Sequence, residues 1–343
     1  TLYNLGTLYQ DLGKYDDAEK ALLETLEIRR EILGEDHPDY AYSLYGIASL
    51  YHATQQYGKA YGYYEQVIDK YIKQIDEYFP SMSEKEKSAF YAKIKPVFDS
   101  FFDFCIDYQL DENRSEDHYP ISAMYNLQLS TKALLLNASN KVRDRILNSG
   151  DPDLIITYRN WISAKERLVK YFNYTQQELQ DQQIDIALLK QGANTLEKEL
   201  SAKSSLFSSL YEQSSKSWID VRNTLSDDEA AVEIIRVNKK FKTDSVIYVA
   251  LIVTKSMTNA PDYVLLKEGN RMENRLFKYY RNAIKFSVGN EISYTNYWQP
   301  INEKINGLKR IYFSADGIYN KININTLWNP VTELAVIEEL DIR

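Results

Sequence analysis

Apolar and polar positions follow two different patterns along the chain, and the change falls near Trp218. Before it, apolar residues recur every three or four positions, which is typical of amphipathic helices. After it, short continuous apolar runs are bounded by turn-forming residues, which is typical of strands. The predicted strands are residues 231–237, 246–254, 263–266 and 311–314. The pattern predicts a helical first part followed by a sheet.

The run at 246–253 is apolar on both faces, so we expect it to be a buried, central strand. Its expected neighbour is 311–314, after which Asp316 and Gly317 signal a tight turn. Helical patterns at 271–286 and 298–305 separate the predicted strands. Alternating β and α elements favour a mixed or parallel sheet.

A strand-like Leu340-Asp341-Ile342 comes next, at the expected edge of this sheet. We therefore expect the sheet to be begun but not completed within these 343 residues. The first residue is Thr1 and no signal peptide is visible, which indicates a fragment of a longer chain.

The segment from Leu2 to Tyr9 recurs 42 positions later, from Leu44 to Tyr51. Small residues match under the same shift, which allows two helices to approach closely. Between the copies, Gly34 can end one helix and Pro38 can begin the next. Residues 1–75 thus resemble tetratricopeptide repeats, which implies antiparallel helix pairs and a surface that binds a protein or peptide.

In such arrays the first helix of each pair lines a groove. The resemblance places seven candidate partner-binding residues there: Tyr3, Asn4, Thr7, Gln10, Tyr45, Ser49 and His52. They combine aromatic area with short polar groups, which suits an extended peptide whose backbone needs hydrogen bonds. The alternative is that Tyr3 and Tyr45 pack against neighbouring helices.

Residues 76–216 are predicted to be a helical region. Helices are expected at 121–147, at 151–172 and, with a leucine seam, at 176–216. The spacing of the last two favours a long antiparallel helix hairpin. Pro96 should kink or restart the helix that carries Cys105.

The remaining residues, 217–343, resemble the N-terminal part of a CHAT domain, a caspase-like cysteine protease fold. The segments that carry this resemblance are 218–225, 228–235, 248–252, 298–300 and 311–317. The expected fold is therefore an α+β multidomain chain, with tetratricopeptide repeats and a long helical region before the start of a caspase-like α/β sheet. The resemblance implies a protease whose repeats bind a partner and control proteolysis.

Protease chemistry of this class needs a cysteine nucleophile beside a histidine base. The chain contains one cysteine, Cys105, and three histidines, His37, His52 and His118, all before Trp218. None stands in the strand-end context of the family. We therefore assign no catalytic residue and expect the pair to lie beyond this segment; the alternative is a non-enzymatic scaffold with an inactive caspase-like platform.

Composition excludes further classes of function. The net charge of −8 is a poor match for nucleic acid, and no apolar stretch approaches the roughly 20 residues of a membrane helix. A single cysteine suits a reducing cytoplasm. Consecutive carboxylates at 227–229 point in different directions, so no metal site is expected there. No glycine-rich phosphate-binding loop is present in the sequence, and no cofactor is expected. The expected partners are a protein or peptide on the repeats and a protein substrate of the parent protease.

Overall fold

The computed structural model describes residues 1–78, 84–111, 119–132, 146–172, 174, 176–205, 216–239, 245–286, 288–289 and 291–343. The chain forms two compact units, each built from three separate stretches of sequence. The helical unit contains residues 1–47, 62–97 and 131–214. The sheet unit contains residues 48–61, 98–130 and 215–343.

Two helix pairs open the chain, as the repeat pattern predicts. Helices α1 (Leu2–Asp11) and α2 (Tyr15–Leu33) form the first pair, and α3 (Pro38–Ala53) and α4 (Tyr57–Tyr78) the second. Gly6 lies so close to α2 that a Cβ atom there would be 2.8 Å from Leu22 Cγ. Gly34 ends α2 with a φ of 79°, a conformation that favours glycine.

The further helices in the described part of the chain up to residue 205 are α5 (Glu84–Leu110), α6 (Tyr119–Lys132), α7 (Pro152–Phe172), α8 (Gln176–Asp181) and α9 (Ile186–Ser205). Helix α5 continues through Pro96, so the predicted restart does not occur. The predicted helix 176–216 is wrong, because the chain breaks between α8 and α9. Gln183 has a positive φ of 55° there, and the Asp185 carboxylate accepts from Leu188 N at 3.0 Å.

Helices α7 and α9 pack against each other. Leu154 and Leu200 share a small apolar cluster, and Trp161 Nε1 donates to Glu197 Oε2 at 3.3 Å. The pairs 154–200 and 161–197 run in opposite senses, so the two helices are antiparallel. The predicted helix 121–147 is described only as far as Lys132, since residues 133–145 lie outside the described part of the chain.

A five-stranded mixed sheet is the centre of the sheet unit. Its strands are β1 (Glu229–Lys239), β2 (Ser245–Thr254), β3 (Asp262–Leu266), β4 (Arg310–Ser314) and β7 (Asp341–Ile342), in the order β3-β2-β1-β4-β7. Strand β2 is antiparallel to both β1 and β3, whereas β4 runs parallel to β1 and β7 parallel to β4. Strands β5 (Trp328–Asn329) and β6 (Leu334–Ala335) form a separate hairpin.

The prediction of a mixed sheet after the helical part is confirmed, but its expected pairing is wrong. Strand β4 pairs with β1, because β1 and β3 already occupy both edges of β2. Strand β2 is therefore an interior strand and is almost completely buried, but β1 is the middle strand.

Short helices cover the sheet: α10 (Trp218–Thr224), α11 (Gly269–Arg271), α12 (Phe277–Phe286), α13 (Glu291–Tyr297), α14 (Gln299–Asn302) and α15 (Val336–Glu339). The helix predicted at 271–286 contains a π-helical turn, Met272–Leu276. The helix predicted at 298–305 is limited to α14, and α13 precedes it. Fully buried Tyr248, Tyr297 and Trp298 belong to the core of this unit.

The turn after β4 is fixed by Tyr248. Its hydroxyl donates to Glu273 Oε1 at 2.6 Å and accepts from Ile318 N at 2.8 Å. Gly317 has a φ of 54°, and a Cβ there would lie 2.3 Å from that hydroxyl. Burial and Glu273 raise the pKa of Tyr248. Glycine is therefore required where the chain leaves β4 and enters the 3₁₀ helix Gly317–Lys321.

Candidate partner-binding surface

Tyr3 packs between the two repeats. Its ring lies 5.0 Å from that of Tyr42 on α3, and a Cβ at Gly46 would be 2.8 Å from Tyr3 Cε2. The pKa of Tyr3 is raised mainly by burial and further by the neighbouring Tyr42. The small residue at 46 is what admits the ring. Tyr3 therefore stabilises the contact between repeats, as the alternative interpretation proposed.

Arg29 on α2 strengthens the same contact. Its guanidinium lies over the Tyr3 ring, 5.3 Å from the centroid. One Nη1 group donates to Asp39 O at 2.7 Å and to Ser43 Oγ at 2.8 Å. A half-buried arginine with two oxygen acceptors and an aromatic face fixes the register of α3 on the first repeat.

The helical unit leaves a mixed aromatic and polar surface accessible. Tyr42 is 40% exposed, and its ring is 5.8 Å from that of half-buried Tyr45. Asn4 is exposed, and half-buried Thr7 donates to Asn4 O at 3.0 Å. Gln10 is half-buried one turn further along α1. We call Asn4, Thr7, Gln10, Tyr42 and Tyr45 the groove residues.

Sequence reasoning missed Tyr42 and Arg29. Tyr42 and Tyr45 are three positions apart, which places them on one helix face, so spacing could have indicated the pair. No local pattern indicates the partners of Arg29, since they belong to another helix. Ser49 is half-buried and belongs to the sheet unit, as does His52.

His52 lies inside the sheet unit, in a cluster of buried ionisable groups. His52 Nε2 is 3.1 Å from Asp107 Oδ2, and Lys239 Nζ is 2.6 Å from Asp107 Oδ1. Lys239 also contacts Asp103 Oδ1. None of these four side chains is more than 4% exposed. The burial removes His52 from the surface on which the repeat pattern placed it.

The charge state of this ion cluster follows from Asp107. Burial raises the pKa of Asp107, but hydrogen bonds from His52 and Lys239 and the charge of Lys239 outweigh burial and lower it to about 2. Asp107 is therefore a carboxylate at neutral pH and accepts from both neighbours. The cluster joins α3, α5 and β1 within the sheet unit.

Among the residues that the structure describes, the candidate nucleophile and the candidate bases do not meet. Cys105 is fully buried, its Sγ donates to Pro120 O at 3.4 Å, and burial raises the pKa of its thiol. His37 is exposed, and its Nδ1 accepts from Asp39 N at 3.1 Å. His118 lies outside the described residues. Cys105 is therefore a packed core thiol rather than an activated one.

The acidic run 227–229 has structural partners. Glu229 accepts from Ser226 N at 2.9 Å and from Arg310 Nη1 at 3.1 Å, and Asp228 pairs with Lys309 at 3.7 Å. Within the described ranges, no three His, Cys, Asp or Glu side chains are grouped so that they could hold a metal ion.

No helix in the described part of the chain is both long enough and apolar enough to cross a bilayer.

Comparison with known proteins identifies two stretches. Residues 1–73 match the tetratricopeptide repeat family, and residues 155–209 match the family described as anaphase-promoting complex subunit 5. Nephrocystin-3 of Xenopus laevis is 39% identical over 62 residues, which is 18% of this chain and 5% of that protein. The N-terminal part of the chain therefore consists of tetratricopeptide repeats.

Proposed function

We propose that the chain is the regulatory and N-terminal portion of a caspase-like cysteine endopeptidase of the CHAT type, whose repeats bind a protein partner and thereby control proteolysis. The observation that carries the proposal is the order of the two parts along the chain. A tetratricopeptide match at 1–73 is followed in the same chain by a mixed sheet, and the segments that resemble a CHAT domain follow one another along that sheet unit.

The partner-binding step rests on the groove residues. Tyr42 and Tyr45 offer adjacent aromatic area at low entropic cost, and Asn4 and Thr7 on α1 offer short polar groups. Tetratricopeptide repeats generally bind protein partners. An extended peptide fits this surface, since its side chains can contact the rings while its backbone bonds to the polar groups.

The proteolytic step needs a thiolate beside an imidazole. Cys105 cannot supply it, because its thiol is buried and its pKa is raised. The proposal therefore assigns the catalytic pair to residues outside this segment. What this chain contributes is a parallel strand pair, β1 and β4, and a turn after β4 that is held by Tyr248.

The experiment compares the natural-length product of the encoding gene with the 343-residue chain, both carrying an affinity tag. Each is incubated in a lysate of the source cell, and captured proteins and new protein N-termini are identified by mass spectrometry. We expect both to capture the same partner. Only the longer product should create new N-termini, and iodoacetamide treatment should abolish them because it alkylates the nucleophile.

Variants separate the two steps. Tyr42→Ala with Tyr45→Ala should weaken capture by about tenfold, as the loss of aromatic anchors does at protein interfaces. Tyr279→Ala, on α12, removes a tyrosine of similar exposure and should leave capture unchanged. Capture without cleavage by the longer product would overturn the peptidase and support a non-enzymatic scaffold. Equal capture by all variants would instead overturn the groove.

A further inference from the structure

The helical segment that contains α12 is positively charged, although the chain as a whole is acidic. Residues 269–289 include five arginine and lysine residues and one acidic residue, Glu273, whereas the whole chain has a net charge of −8. Glu273 is neutralised by Arg236, whose Nε and Nη2 groups donate to its two carboxylate oxygens. The segment therefore presents an excess of positive charge to the solvent.

Four of these five cations form a row on the exposed side of the segment, while the fifth, Arg271, is paired with Glu268 at 2.6 Å. Within the described residues, none of the four has an ion-pair partner. Successive members are three or four positions apart, which places neighbours on one side of a helix. The opposite side, with Leu276 and Tyr280, is buried in the core of the sheet unit. We call the four the basic face: Arg275, Lys278, Arg281 and Lys285.

Apolar side chains protrude from the same segment where α12 ends. Ile284 is 48% exposed, Phe286 63% and Val288 59%. Lys285 of the basic face lies among them, with its Nζ 5.2 Å from the centroid of the Phe286 ring. Neighbouring exposed apolar residues mark interaction sites. We call Ile284, Phe286 and Val288 the apolar corner.

We propose that the basic face and the apolar corner together bind the surface of a membrane that contains anionic phospholipids. Such a surface has negative headgroups above an apolar layer, so it complements cations that stand beside protruding apolar side chains. An acidic peptide or a phosphate backbone would neutralise the basic face but would leave the aliphatic side chains of the apolar corner in water. The proposed contact lies on the bilayer surface and needs no membrane-spanning helix.

The charge of the rest of the chain orients the protein on this surface. Because residues 269–289 are positive and the chain is net negative, anionic headgroups attract this segment and repel the acidic remainder. The basic face belongs to the sheet unit, whereas the groove residues belong to the helical unit. The proposal therefore depends neither on the groove residues nor on the proposed peptidase.

Vesicle flotation tests the charge requirement. The 343-residue chain is titrated with vesicles of phosphatidylcholine alone and of an equimolar mixture of phosphatidylcholine and phosphatidylserine, and we expect binding to the mixed vesicles only. Each lysine or arginine near an anionic surface contributes about fivefold to affinity. A charge variant with Lys278→Gln, Arg281→Gln and Lys285→Gln should therefore bind the mixed vesicles about a hundredfold more weakly.

The matched control for the charge variant is Lys216→Gln with Lys255→Gln and Lys309→Gln. It removes three exposed lysines from other parts of the sheet unit, so it changes the net charge by the same amount. It should retain the binding of the wild type, since these lysines do not belong to the basic face. Equal losses in the charge variant and its control would overturn the proposal.

A second pair of variants tests the apolar corner. Ile284→Ser with Phe286→Ser should weaken binding to the mixed vesicles about tenfold, because apolar area that enters the bilayer is lost. Its control, Val331→Ser with Ile337→Ser, removes apolar side chains that are exposed elsewhere on the sheet unit and should leave binding unchanged. All substituted positions are exposed, so the melting temperatures should stay close to that of the wild type. Equal affinity of these two variants would overturn the role of the apolar corner.

Soluble polyanions distinguish a membrane from the other classes of ligand. Poly-glutamate stands for an acidic protein segment and poly-uridylate for RNA. At equal concentrations of negative charge, the wild type should bind the mixed vesicles more tightly than either polymer. Absence of vesicle binding would overturn the proposal, and a polymer that binds the wild type but not the charge variant would then identify the partner as an acidic protein or an RNA.

Discussion

Replacing Lys239 with methionine tests the buried ion cluster most directly. The Lys239 side chain is 4% exposed and contacts Asp103 and Asp107, which are 0% and 2% exposed. Methionine keeps most of the aliphatic volume but removes the ammonium group. The two carboxylates would then remain buried without the ammonium group, and His52 would still contact Asp107.

The expected loss is large on the scale of protein stability. Breaking a buried ion pair by removing one partner costs about 3–5 kcal/mol, because the other charge stays buried without compensation. Domains unfold with a free energy of about 5–15 kcal/mol. We therefore expect Lys239→Met to lose about 3–5 kcal/mol of the stability of the sheet unit.

Native-state hydrogen exchange of the β2 amides measures this loss, since buried central strands exchange through the larger unfolding events. Lys309→Met is the matched control. It removes a lysine that is 81% exposed and 3.7 Å from Asp228, so it should change stability by no more than about 0.5 kcal/mol. If Lys239→Met and Lys309→Met change β2 exchange equally, the reasoning from burial is refuted.

Three further predictions concern the sheet unit. The folded pKa of Asp107, about 2, lies below the unfolded value of ~3.9, so the stabilisation from this carboxylate is present above about pH 4 and is lost as the pH falls towards 2. Asp107→Asn should therefore make the free energy of unfolding in urea less dependent on pH over that range. An unchanged dependence on pH would contradict this. Val249→Asp should cost several kcal/mol, because it places an unpaired charge at a fully buried site; a melting temperature close to that of the wild type would count against burial. Gly317→Ala should lower the melting temperature, because the added Cβ would displace the Tyr248 hydroxyl and the positive φ would be strained. Gly289→Ala is the control, since a Cβ at position 289 meets no atom within 4 Å. Equal melting temperatures of the two variants would disprove the steric argument.

The elements that could be predicted from sequence are those with a strong local pattern. The helix pairs followed from the 42-residue period together with Gly34 and Pro38, which end and begin helices. Strand β2 followed from a continuous apolar run at residues 246–253. In both cases the information lies within one element or its immediate boundary.

What could not be predicted depends on contacts between distant residues. Both β1 and β2 are apolar, so no local feature assigned β4 to β1. The repeat pattern predicted that His52 lines the groove, but the structure buries it in contact with Asp107, 55 residues away. The break before α9 could have been predicted from the local sequence, since Asp185 is a favourable N-cap. The regular spacing of the leucines instead favoured one continuous helix.

The composition of each unit from three stretches of sequence has a consequence for synthesis of the protein. Gln128 bonds to Glu233, 105 residues later, and Lys239 reaches Asp103 over 136 residues. Residues 98–130 therefore leave the ribosome well before the strands that they contact. Such distant pairing slows folding and exposes the aromatic face of α5 in the meantime. The nascent chain is thus expected to need chaperone protection until β1 has been translated.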